Sequence, residues 1–256
     1  MRFCLNVLLF LSLLSTTKAD WKLERWKELG VLSGNAVAWE SEASSDGRTI
    51  RLSGITFESR EFVFRVVDNP PENRQSLESA LAAAGAFGGS NGGYFHGDFT
   101  PLGLAISDGR TVHPFERAKL LSGILAVRKG GIELVRSNRF KPGSDVRDAL
   151  QAGPWLVEKG LPVTGLNGER LARRTIVAND GKGHWMIVAI SSVTLADSAR
   201  VLCLKGVAGS GAIANALNFD GGSSTALRAV AQDRVLIHIA SFGAVRNYLA
   251  IVGRQR

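Results

Sequence analysis

Leu125-Ala126-Val127, Lys129-Gly130-Gly131 and Ile132-Glu133-Leu134-Val135 are two short apolar runs around a glycine turn, a pattern that reads as a β-hairpin. Arg174 to Ala178, a turn around Asp180-Gly181, and Trp185 to Ile190 repeat it. Further out, Thr49-Ile50-Arg51-Leu52 and Glu61 to Val67 interleave apolar residues with charges, as half-buried strands do. Ala86 to Phe95, Gly103 to Ile106, Arg110-Thr111-Val112, Ala216 to Phe219, Val235 to Ala240 and Asn247 to Val252 add more strand-like runs. Two helices are expected among them. One is capped by Asn73 or Ser76, carries Leu77, Leu81 and Ala84 on one face and ends at Gly85; the other runs from about Asp197 to Lys205. The stretch from Ala19 to about Ala43, with Trp21 and Trp26, reads as helical at first. Hairpins with inserted helices, and no regular βαβ alternation, predict an α+β fold: a single domain with a mixed, largely antiparallel β-sheet and packed helices.

The chain of 256 residues divides unevenly. Arg2, the apolar run Val7 to Leu14 and the small residue closing Thr17-Lys18-Ala19 follow the order of a secretory signal. The run is well short of the roughly 20 residues that cross a bilayer. Residues 1–19 are therefore expected to be a signal peptide, 20–60 a lead-in packed on the domain, and 61–256 the functional domain. The expected location is periplasmic or secreted, in a bacterium, with no stable membrane insertion after the signal is removed. Cys4 leaves with the signal and Cys203 stands alone, so no disulfide framework is expected. A lone cysteine in apolar surroundings reads as a small buried hydrophobe.

The formal net charge is +8, and loss of Arg2 and Lys18 lowers it by two. A basic surface favours anionic ligands, phosphorylated or acidic glycans among them. The lysines and arginines are scattered and do not interleave with aromatics, so nucleic acid is not expected as a partner. Several sites are excluded by pattern. No HExxH, cysteine pair or histidine cluster has zinc spacing, and Gly181-Lys182-Gly183 lacks the rest of a P-loop. Gly209-Ser210-Gly211 is not a nucleophile elbow, because Ala208 stands where its first glycine belongs.

Two glycine-flanked segments remain. Ser90-Asn91-Gly92-Gly93-Tyr94-Phe95 and Leu217-Asn218-Phe219-Asp220-Gly221-Gly222-Ser223-Ser224-Thr225 each place a polar side chain at the end of a buried strand, before glycines. Backbone N–H groups in such a turn form an anion cradle. Asp220, leaving the core, is a candidate acid or base with a tuned pKa. Both segments also read as plain tight turns. Arg174, opening its strand, is either a solvated charge or a bidentate phosphate ligand.

Asn-Gly-Gly-Tyr-Phe at 91–95, Pro101-Leu102-Gly103-Leu104, Gln151-Ala152-Gly153-Pro154, Arg174-Thr175 and the Asn218 to Ser224 block follow one another in an order that resembles the phosphodiester glycosidase family. The similarity runs from about Phe62 to Val252. Two departures stand out. Ser223 replaces a third glycine, and Val177-Ala178 stands where the family commonly has a glycine. The resemblance implies an exported hydrolase that cleaves a sugar-1-phosphodiester to free sugar and a phosphomonoester, in exopolysaccharide or cell-envelope glycan metabolism. It implies Asp220, Asn91 and Arg174 as catalytic residues. Gly92, Phe95, Gly221, Gly222, Ser223, Ser224 and Thr225 would bind substrate and phosphate. No cofactor is required. The alternatives are a divalent cation held by Asp220 with Asp98 or another nearby carboxylate, giving a metal-assisted phosphodiesterase, and a non-catalytic binder of acidic polysaccharide.

Overall fold

The structure, a computed structural model, describes residues 20–209 and 211–254; the expected signal at 1–19 lies outside them. Three antiparallel sheets make up the protein. The largest has eight strands in the order Lys22–Ser33, Ala36–Ser45, Arg48–Glu58, His184–Val193, Ala172–Asn179, Asn215–Asn218, Trp155–Glu158 and Leu161–Pro162. A five-stranded sheet orders Arg110–His113, Ala105–Ser107, Val146–Ala152, Gly123–Arg128 and Gly131–Arg136. The other five-stranded sheet orders Arg234–Ile239, Leu227–Ala231, Gly88–Asn91, Asn247–Gly253 and Phe62–Asp68.

This corrects the α+β expectation. Among the described residues the α-helices are Leu77–Ala83 and Leu195–Leu202, of 7 and 8 residues, against eighteen strands, and the fold is mainly β. Both expected helices exist. Ser76 caps the first by accepting the Ser79 N–H at 3.1 Å, and Thr194 caps the second through Asp197 N–H at 3.0 Å. The lead-in departs from expectation as well, for it is not helical. Lys22–Ser33 is the edge strand of the large sheet, mostly exposed and with three register shifts against Ala36–Ser45. Its Lys, Glu and Arg residues favour helix by propensity. On an edge the same charges deter pairing with another chain.

Each hairpin takes its place as a register pair: Gly123–Arg128 with Gly131–Arg136, and Ala172–Asn179 with His184–Val193. The second pair lies mid-sheet and is buried on both faces. One face meets Phe64, Leu125, Leu150, Leu249 and Ile251 from the smaller sheets. The other packs Ile176 and Val188 on Trp39, Val201 and Leu202.

Trp39 stands opposite Gly54 in the register, fully buried, with its indole N–H on Thr56 Oγ1 at 2.8 Å. A Cβ on Gly54 would overlap the indole ring. Gly54→Ala is expected to cost about 1–3 kcal/mol by overpacking, measured as a Tm lowered by several degrees.

Candidate active site

Strand ends from two sheets meet at the candidate site. Asn91 closes Gly88–Asn91, and Asp220 follows Asn215–Asn218 by one residue, Phe219. The Phe219 N–H donates to Thr175 O at 2.8 Å and the Asp220 N–H to Gly92 O at 3.2 Å, which ties the Asp220 loop to the strand Ala172–Asn179 and to the other glycine-flanked segment. The loop then turns through Gly222–Ser224. Gly222 sits at φ +62°, and a Cβ on Gly221 would come 2.6 Å from Arg173 O, so neither position accepts a larger residue without strain.

Asn91 is fully buried and wholly occupied with this junction. Its Oδ1 accepts from Thr175 Oγ1 at 2.7 Å and from Ala226 N–H at 3.0 Å, and its Nδ2 donates to Asp220 O at 2.8 Å. It positions the Asp220 backbone and presents nothing to a ligand. Arg173 clamps the loop from outside, donating to Gly222 O at 3.0 Å, Ser223 O at 3.4 Å and Ala240 O at 3.2 Å.

A cleft of about 520 Å³ opens beside the loop. It gathers Asp220, Arg174, Gly221, Gly222, Ser223 and Ser224 from the sequence-assigned residues, and adds Tyr94, Asn218, Arg170, Asn167, Pro154, Ala172, Leu195 and Leu120. Gly92, Phe95, Thr225 and Asn91 stay behind the wall. Phe95 packs toward Ala80, Val245 and Tyr248. Thr225 is buried with its hydroxyl unpartnered. Asp98 is not in the cleft either; its carboxylate accepts the Thr100 N–H at 2.9 Å on an exposed turn.

Asp220 is the single acidic residue lining the cleft. Burial raises its pKa, and the Ser224 hydroxyl and the Gly221 N–H, at 2.9 Å, pull partly the other way. Arg174 is buried and donates from Nε to Val193 O at 3.1 Å and from Nη2 to Arg170 O at 2.8 Å. No carboxylate among the described residues pairs with it. Two of its five N–H donors are thus committed. Burial lowers its pKa and the neighbouring Arg170 charge adds to that, but a guanidinium stays charged in a protein.

Tyr94 Oη donates to Gly153 O at 2.6 Å and accepts from Asn218 Nδ2 at 2.6 Å. Burial, then the Asp220 charge, pushes its pKa up, so it remains a neutral phenol. Asn218 Nδ2 also donates to Phe219 O at 2.8 Å, and its Oδ1 is buried without a partner. An unpaired buried acceptor is costly, and here it belongs to a residue of the cleft wall. Tyr94, Asn218 and Arg170 were missed as site residues, though the first two lie inside the quoted motifs and the third precedes Arg174 by four residues.

Residues 84–252 match the family profile described as phosphodiester glycosidase. No curated protein sequence matches the chain. Among solved structures, the chain is similar to the zebrafish N-acetylglucosamine-1-phosphodiester alpha-N-acetylglucosaminidase catalytic domain auto-inhibited by pro-peptide. That likeness has TM-score 0.63 and 18% identity, covering 90% of this chain and 88% of that one. A hypothetical protein from Synechocystis gives TM-score 0.59 and 16% identity over 86% of this chain and 62% of its own. A Burkholderia pseudomallei K96243 protein described as exported gives TM-score 0.55 and 12% identity over 80% and 74%. At these identities the solved structures speak to the fold.

Proposed function

Because the chain belongs to the phosphodiester glycosidase family, a family of hydrolases, we propose that it hydrolyses a sugar-1-phosphodiester, releasing free sugar and a phosphomonoester. The observation that carries this reading is one cleft holding a single carboxylate, Asp220, together with two arginines, Arg170 and Arg174, that have no acidic partner among the described residues. Phosphate supplies the missing negative charge, and Arg174 with Arg170 binds it. The Gly221 to Ser223 turn lies against the same anion.

Asp220 acts in its ionised form as general base. It takes a proton from a water molecule whose oxygen attacks the anomeric carbon. The carbon–oxygen bond to phosphate breaks, and its electron pair leaves on the phosphomonoester. Burial favours the protonated carboxyl that results, which strengthens the base. Ordinary glycoside hydrolysis recruits a second carboxyl to protonate the leaving oxygen. A phosphate leaves without that help, in keeping with a cleft that carries one carboxylate.

Among the described residues no helix is long and apolar enough to cross a membrane. The signal-like pattern of residues 1–19 supports action outside the cytosol, on an exopolysaccharide or envelope glycan carrying phosphodiester links.

The test is the nitrophenyl phosphodiester of N-acetylglucosamine in heavy-oxygen water. Free sugar carrying the label, with nitrophenyl phosphate as co-product, is expected. Label in the phosphate, or no product from a folded protein across several sugars, would sink the reading.

A further inference from the structure

Phe242 is 82% exposed. Single exposed apolar side chains are ordinary on protein surfaces, but this one has a backbone anchor and a cationic neighbour. Its N–H donates to Ser223 O at 2.7 Å, and its ring lies 4.1 Å from the Arg173 guanidinium carbon. Arg173 is itself fixed by the Gly222, Ser223 and Ala240 carbonyls. One face of a flat ring is therefore backed by a clamped cation, beside a residue, Ser223, that lines the cleft.

Leu120, 41% exposed, lines the cleft, and Leu171, 56% exposed, stands in sequence between the lining residues Arg170 and Ala172.

Resting on the hydrolytic reading above, we propose that Phe242 is a specificity-determining residue, a stacking platform for a sugar ring beyond the cleaved linkage that favours a glycan phosphodiester over the phosphodiester of a small alcohol. A pyranose presents a flat face of C–H groups that matches an open aromatic ring. An alkyl chain would need an enclosed groove, and Phe242 offers none. Because Arg173 already packs on the ring, less side-chain freedom is lost on stacking.

Two substrates test this: the methyl phosphodiester of N-acetylglucosamine, and a phosphodiester-bridged oligosaccharide of the same sugar. Wild type is expected to prefer the oligosaccharide, and Phe242→Ala to lose about 3- to 10-fold of that preference, the size of one aromatic contact, through KM. Phe242→Trp should restore it. A preference unchanged in Phe242→Ala overturns the platform while leaving the hydrolytic reading intact. Should wild type cleave neither substrate, that reading fails by itself. Quenching of Phe242→Trp fluorescence by the oligosaccharide then decides the platform alone: quenching supports it and its absence overturns it.

Discussion

Asp220→Asn should fold, gain stability at neutral pH and lose about 100-fold or more of turnover, the usual contribution of a positioned acid–base group. The two effects have one cause. Burial raises the Asp220 pKa above 3.8, so over the interval between the unfolded and folded values the native state holds a proton that the unfolded chain has released. Stability then falls as pH rises through that interval and stays lower above it. Asparagine has no charge to desolvate and keeps an oxygen for the Gly221 N–H, which lies 2.9 Å from Asp220 Oδ1. The variant should therefore melt above wild type at pH 7, and the gap should close below the ordinary aspartate value. Wild-type kcat/KM should fall on the acid side along a limb displaced above that of an unperturbed aspartate. Thermal melts at both pH values, beside sugar release, read all of this. An asparagine variant with normal turnover ends the role of Asp220 as base.

Most strands were legible because the large sheet alternates or runs continuously apolar where it should. Trp185 to Ile190 and Ala216 to Phe219 carry no competing helical pattern. The first strand was not legible. An edge strand buries little, so Lys22 to Ser33 lacks the apolar alternation that would have marked it, and its charges mimic a helix surface. At the site, Asp220 could be read from its position after a buried strand and before two glycines. What Asn91 does could not. Its partners Thr175, Ala226 and Asp220 are 84 to 135 residues away in sequence, and nothing local distinguishes an asparagine that binds ligand from one that binds its own fold. Tyr94 and Asn218 are the reverse case. They meet across 124 residues, and only that meeting puts them in the cleft wall.

Arg174→Met is expected to lower kcat/KM by about 100-fold or more. A hydrogen bond to a charged partner contributes about 1.5–3 kcal/mol, and a forked guanidinium makes two at once. Folding should survive. The replaced cation is buried and has no acidic partner among the described residues, so methionine removes a desolvation cost while filling similar space. Arg174→Lys keeps the charge without the fork and should fall between the two. A structural role alone would lower stability and spare the response to anions, and this separates the readings. Arg170 and Arg174 are like charges within one cleft, where the Arg170 charge adds to the effect of burial in lowering the Arg174 pKa, and an anion between them offsets the repulsion. The phosphomonoester product should therefore raise the wild-type Tm by mass action, and inhibit turnover competitively. Arg174→Met should lose most of both effects. A variant that melts normally yet is still stabilised by the product would place the phosphate elsewhere, and Arg174 would then be a residue of the cleft wall and nothing more.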